Sequence, residues 1–207
     1  GRLEEVAARL VAMREEERPQ CSNKTIFTLA ADHGVTDEGV SAYPKAVTRQ
    51  MVLNFLAGGA AINVLGRQFG IDVVVVDIGV DGEFSDVSGL LNAKIRRGTR
   101  NMAREPAMTD DEVHSALAVG LELAETAHRQ GRTLIGTGEM GIGNTTAASA
   151  IAAVMTGYPP AEVTGRGAGL DDTGLQHKID VIDRALQLHR PSASDPINLL
   201  RTVGGFE

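Results

Sequence analysis

The residues from 136 to 146, Gly-Thr-Gly-Glu-Met-Gly-Ile-Gly-Asn-Thr-Thr, carry the strongest chemical signal in the chain. Gly136, Gly138, Gly141 and Gly143 would let backbone N–H groups approach an anion closely, and a helix starting behind them would add the positive end of its dipole. Asn144, Thr145 and Thr146 can cap that helix and can also donate to phosphate oxygens. The segment therefore predicts a phosphate cradle. Glu139 inside it suits an acceptor for ribose hydroxyls or a charge that stabilises a developing cation. The plainer alternative is a loop carboxylate bonded to backbone amides. Gly136, Gly138 and Gly141 formally match the dinucleotide pattern G-x-G-x-x-G, but Glu139 would repel a pyrophosphate lying across the loop. No Gly-Lys-Ser/Thr follows, which excludes a Walker loop.

Other candidates are weaker by themselves. Lys178 follows the loop Gly165-Arg-Gly-Ala-Gly-Leu170 and is a candidate phosphate partner, although a lone helical lysine is ordinarily solvated. Asp77 ends a four-valine run, but Ile78 and Gly79 replace the second acid and the Thr-Gly that a phosphoribosyl-pyrophosphate loop wants. It reads equally well as the cap of a strand end. Asp32-His33-Gly34 invites a metal or acid–base role. The five histidines (33, 114, 128, 177 and 189) form no ligand cluster, however, so no metal site is expected.

These groups need elements to hold them. Residues 2 to about 18 read as an amphipathic helix, 24–31 as a strand, and 45–56 and 59–69 as two helices broken near Gly58-Gly59. Residues 72–80 form the clearest strand, whose unbroken valines predict burial on both faces. The stretch 92–108 lacks a period and reads as an irregular link. Thr109 with Glu112 makes a capping box for a helix to about Arg129. A short strand, 132–136, leads into the glycine-rich segment and an Ala-rich helix ending near Met155. A helix from Asp171 to about His189 and a short one from Pro196 follow. Strands alternating with helices predict one α/β domain with a doubly wound, mostly parallel sheet. Ligands of such sheets sit at the carboxyl ends of the strands, so the loops after 31, 80 and 136 are the expected site.

Composition narrows the function classes. With 27 acidic against 20 basic residues and only seven aromatics, nucleic-acid binding has no electrostatic or stacking basis. The longest purely aliphatic run, Val73–Val76, is far too short for a membrane span. No leader opens the sequence, and the single Cys21 fits a reducing compartment, so a cytoplasmic location is expected. The 24 glycines stand out as an excess over average usage.

The stretches 31–65 (ADHGVTDEGVSAYPKAVTRQMVLNFLAGGAAINVL), 136–151 (GTGEMGIGNTTAASAI) and 165–179 (GRGAGLDDTGLQHKI) closely resemble the nicotinate-nucleotide–dimethylbenzimidazole phosphoribosyltransferase family of cobalamin lower-ligand biosynthesis. The resemblance covers essentially the whole chain. It implies a Rossmann-like α/β fold, a homodimer and a reaction without cofactor or metal, in which nicotinate mononucleotide and 5,6-dimethylbenzimidazole give α-ribazole 5′-phosphate and nicotinate. By the same match the backbone from Gly141 through Gly143, Asn144, Thr145 and Thr146, with Lys178, would hold the 5′-phosphate. Glu139 would sit at the ribose, and Ser41, Tyr43 and Gln50 would line the benzimidazole pocket. The family's general-base glutamate lies in a later glycine-rich segment with no counterpart here. The closing Gly204-Gly205-Phe206-Glu207 matches an interior family motif, and Gly1 an interior position. The resemblance thus implies a fragment with its C-terminal part missing. The competing readings are a non-catalytic nucleotide-phosphate binder using the same loop and, on the G-x-G-x-x-G match alone, a dinucleotide-dependent oxidoreductase.

Overall fold

The computed structural model describes residues 1–84 and 87–207. Helix α1 (Arg2–Arg14) opens the chain and is followed by strand β1 (Lys24–Ala31), a short 3-10 turn (Gly34–Glu38), α2 (Ala46–Leu56) and α3 (Ala61–Phe69). Then come β2 (Ile71–Gly79), β3 (Leu90–Asn92), α4 (Asp110–Arg129), β4 (Leu134–Met140) and α5 (Asn144–Thr156). The short α6 (Pro160–Val163), α7 (Asp172–His189) and α8 (Pro196–Val203) complete the described elements. The four strands form one parallel sheet in the order β3-β2-β1-β4.

This order explains where the site lies. The chain leaves β1 for β2 on one side, then crosses by way of α4 to β4 on the other side of β1. The order of the strands reverses between β1 and β4, and their carboxyl ends therefore splay apart into a crevice. Helices cover both faces, as the doubly wound reading requires. In β2, Val75 packs with Val52 and Phe55 of α2, whereas its neighbour Val76 packs with Leu123 and Ala127 of α4. A two-residue period on a sheet buried on both sides produces this alternation. Beyond the crevice, α5, α7 and α8 share a cluster that includes Ala150, Val181, Ile182 and Leu199.

Three boundaries differ from the sequence reading. Helix α1 stops at Arg14 rather than near residue 18, because Glu15 turns left-handed at φ 54°, and none of its residues is buried. The strand expected over 132–136 instead runs from Leu134 through Met140, so the first half of the glycine-rich segment is sheet rather than loop. Gly136 to Met140 pair with Ile26 to Ala30. A Cβ at Gly136 would lie 2.8 Å from the Ile26 side chain, so glycine here permits close strand approach. Just before and into the 92–108 stretch read as irregular, the three-residue strand β3 pairs Leu90–Asn92 with Val75–Asp77. The Thr109–Glu112 capping box forms as expected, with Glu112 N donating to Thr109 Oγ1 at 3.2 Å and Thr109 N to Glu112 Oε2 at 2.7 Å. Among the described residues no helix is long and apolar enough to cross a membrane.

Candidate functional site

The loops leaving β1 and β4 meet in the crevice. Gly141 and Gly143 are buried, and Gly143 occupies the cap position of α5 with φ 94°, a conformation suited to glycine. The cap position itself carries no side-chain bond, but Asn144 Oδ1 accepts from Thr145 N at 2.6 Å, so of the three residues expected to cap this helix Asn144 takes up a first-turn N–H. Several backbone groups of the turn are already engaged: Ile142 N donates to Thr48 Oγ1 at 3.0 Å, Asn144 N to Gly141 O at 3.0 Å and Thr146 N to Gly143 O at 2.9 Å. The turn is thus held by bonds within the protein. What it presents to a ligand is the side chain of Thr145 together with the surrounding glycine backbone.

A cavity of about 210 Å³ opens here, lined by Ser41, Glu139, Gly141, Gly143, Asn144 and Thr145, with Gly167 and Ala168 on its far side. Thr146 does not reach it. That residue is fully buried below the turn, and its hydroxyl oxygen has no partner among the described residues. Tyr43 is 51% exposed and Gln50 is exposed on α2, and neither lines this cavity.

Lys178 is the residue whose environment the sequence least suggests. It lies in α7 and is only 1% exposed. Its ammonium donates to Thr145 Oγ1 at 2.6 Å and approaches Gly165 O at 3.4 Å, and no described carboxylate lies within ion-pair distance. A Cβ on Gly167 would sit 3.3 Å from the ammonium nitrogen and 3.1 Å from Thr145 Oγ1, so the 165–169 loop closes over this cation. Burial holds the ammonium below the usual lysine range. A buried cation without a counter-charge, set at a helix start, favours a bound anion on both counts.

A second cavity of about 320 Å³ shares Glu139, Asn144 and Thr145 with the first and adds His33, Glu207 and the α5 wall at Ala148 and Ile151. Glu139 stands between the two and accepts from the Asn144 side-chain amide. Loss of hydration, with the nearby charge of Glu207, raises its carboxyl above the ordinary glutamate range, although Asn144 and His33 pull it down. His33 is 1% exposed and its Nε2 bonds Glu207 Oε1. Burial disfavours its charged form, but Glu207 outweighs this, with help from Asp32 and Glu139, and the imidazole is held above its usual range. In the sequence His33 offers only a general metal or acid–base possibility in the loop after residue 31, and nothing assigns a site role to Glu207. The only available signal was the position of Asp32-His33-Gly34 directly after a strand, on the switch-point side of the sheet.

The loop after β2 takes a supporting role. Asp77 Oδ1 accepts from Val80 N at 2.9 Å and Oδ2 meets Lys94 Nζ at 3.1 Å, so Asp77 does cap its strand end. Asp81 N donates to Asp32 Oδ2 at 2.7 Å and ties the β1 and β2 loops together. A cavity of about 620 Å³ on this side is lined by Asp77, Glu83, Phe84 and Lys94 and lies apart from the glycine-rich turn. Among the described residues no group of three or more His, Cys, Asp or Glu is placed to hold a metal ion.

Comparison with known proteins adds identity to this geometry. A family profile described as Phosphoribosyltransferase matches residues 1–207. Proteins named nicotinate-nucleotide–dimethylbenzimidazole phosphoribosyltransferase from Geobacter sulfurreducens and Roseiflexus castenholzii are 56% and 51% identical over 207 residues. Each alignment covers 100% of this chain and 59% of the relative, so the chain spans about three-fifths of the length of these curated relatives. The crystal structure of CobT from Thermus thermophilus superimposes with a TM-score of 0.93 at 48% identity, covering 100% of this chain and 62% of that one.

Proposed function

The chain belongs to the phosphoribosyltransferase family matched along its full length, and from that premise we propose that it serves a transferase acting on nicotinate mononucleotide and 5,6-dimethylbenzimidazole. The observation that carries this reading is Lys178, a buried ammonium without a carboxylate partner among the described residues, set on Thr145 at the start of α5 and covered by the 165–169 loop. In the proposed complex the 5′-phosphate takes the place next to Lys178 and Thr145, with the backbone of the Gly141–Thr146 turn around it. Glu139 faces the ribose, and Ser41, Tyr43 and Gln50 mark the end that receives the benzimidazole.

The chemistry follows from the charges. A ring nitrogen of the benzimidazole forms a bond to C1′ while the bond from C1′ to the pyridinium nitrogen breaks. The electron pair of that bond returns to the ring, and nicotinate leaves as a neutral pyridine. The other azole nitrogen then gives its proton to a base. Positive charge spreads over C1′ and the ring oxygen at the transition state, where the Glu139 carboxylate is worth most in a site of low polarity. A leaving group that is already cationic needs no Mg²⁺-pyrophosphate apparatus, in keeping with the different use of Asp77. The reading extends to a cytoplasmic homodimer without a resident metal, and sedimentation velocity tests the oligomer.

Calorimetric titration tests the binding mode. Nicotinate mononucleotide should bind at least tenfold more tightly than nicotinate riboside, which lacks the phosphate, and Lys178→Ala should abolish the difference. Equal affinity for the two ligands in the unsubstituted chain would overturn the reading. Nicotinate release in the presence of 5,6-dimethylbenzimidazole separates a transferase from a protein that only binds nucleotide phosphate.

A further inference from the structure

His33 and Glu207 are joined to the site by a close geometry that phosphate binding does not require. The His33 ring follows β1, its Nε2 meets Glu207 Oε1, and the two side chains are 2% and 9% exposed. Glu207 Oε2 is shut off from solvent and has no partner among the described residues. Glycine backbone packs against the pair from both sides. A Cβ at Gly205 would fall 2.5 Å from both His33 Cε1 and Glu207 Oε2, and one at Gly141 would fall 3.2 Å from Glu207 Oε1 and 3.3 Å from His33 Cδ2. A Cβ at Gly143 would lie 3.3 Å from His33 Cβ. Gly141 and Gly143 of the turn therefore pack against the His33–Glu207 pair together with Gly205 of the closing segment.

Two carboxylates, Glu139 and Glu207, line one cavity together with a single imidazole. Such carboxylates repel, and without a cation between them one takes up a proton. Lys178 is engaged with Thr145, and Lys45 is paired with Asp81 at 2.8 Å. Asp32, beside His33, adds a further negative group whose Oδ2 is held by Asp81 N. Among the described residues, His33 is thus the basic group bonded to Glu207, and it lines the same cavity as Glu139.

Building on the reading of Glu139 as the ribose-facing carboxylate, we propose that His33 is a positioning residue: its imidazolium fixes and neutralises Glu207, so that Glu139 keeps its negative charge toward the ribosyl group. His33 touches neither base nor phosphate in this arrangement and acts through Glu207.

The test is a titration of the full 207-residue chain, with Glu139 followed by ¹³C carboxyl NMR and His33 by its ring signals. His33→Asn should shift the Glu139 midpoint upward, and adding Glu207→Gln to the same chain should bring it back, because the repelling charge is then gone. A Glu139 midpoint that does not move, or one that moves and is not restored by the second substitution, overturns the proposal. Glu207→Gln alone provides a second route should His33→Asn fail to fold: it should lower the His33 midpoint, and an unchanged His33 titration also overturns the pairing. Binding of inorganic phosphate, measured alongside, reports on Lys178 separately. Coupling without phosphate binding supports the pair and overturns the nucleotide reading, whereas phosphate binding without coupling overturns the pair alone.

Discussion

The Lys178 ammonium lies 2.6 Å from the hydroxyl oxygen of Thr145, joining α7 to the first turn of α5 through a cation that is 1% exposed. Isolated buried charge opposes folding, by several kcal/mol on the order-of-magnitude scale for unpaired ions. Its presence at the mouth of a glycine-rich turn is therefore a cost to stability at the place where the proposed function puts a phosphate.

Replacing Lys178 with Met keeps the side-chain volume and removes the charge. The free protein should gain stability, by about 1 kcal/mol, which corresponds to a rise in melting temperature of roughly 2–4 °C for a chain of this size. Affinity for nicotinate mononucleotide should fall by roughly 10- to 100-fold, the loss of a charge-assisted hydrogen bond of about 1.5–3 kcal/mol. Calorimetry on both forms checks the pair of outcomes, and a variant that loses stability would show that the ammonium holds the loop together instead.

Phosphate binding should depend on alkaline pH in a way that exposed lysines do not produce. Burial lowers the Lys178 pKa in the free protein, and a bound anion favours the charged form, so binding is accompanied by proton uptake. Affinity should decline as pH rises through the lowered Lys178 range, before ordinary lysines titrate. Lys178→Met should remove this decline, as a titration series with nicotinate mononucleotide would show.

His33 predicts a pH dependence of stability with the same sign, set at a lower pH. Its folded-state pKa is raised, so the contribution of its pair with Glu207 is fully present below the unfolded value of about 6.5 and is lost as pH rises through the folded pKa. Denaturant unfolding of His33→Asn against the parent should show a larger gap at about pH 6 than at about pH 9. Equal gaps would mean that the ring contributes only packing.

Glycine substitutions should separate site from scaffold. Gly143→Ala combines φ 94° with a Cβ placed 2.7 Å from Thr36 Cγ2, and should cost about 1–3 kcal/mol. Gly120 sits within α4 with nothing within 4 Å of an added Cβ, and Gly120→Ala should stabilise by about 0.4–1 kcal/mol. Thermal melts of the two variants should move in opposite directions.

Local patterns determined the elements. The valines of 73–76, the Thr109–Glu112 box and the turn residues around Gly58 and Pro191 specify strand, helix start and break through backbone sterics and near-neighbour hydrogen bonds, and these act within a few residues. The resemblance to the transferase family likewise rested on contiguous segments, with the 136–151 block the most specific. What only tertiary structure decided is which groups lose their water and which distant partners they meet. Gly136 through Met140 became a strand because Ile26 to Ala30 lay beside them. Lys178 became a buried cation because the loop at 165–169 and Thr145 close over it, 33 residues away from its hydroxyl partner. His33 and Glu207, separated by 174 positions, came together at the reversal point between β1 and β4. Charge in a protein site is set by desolvation and by neighbours in space, and neither is written in spacing along the chain.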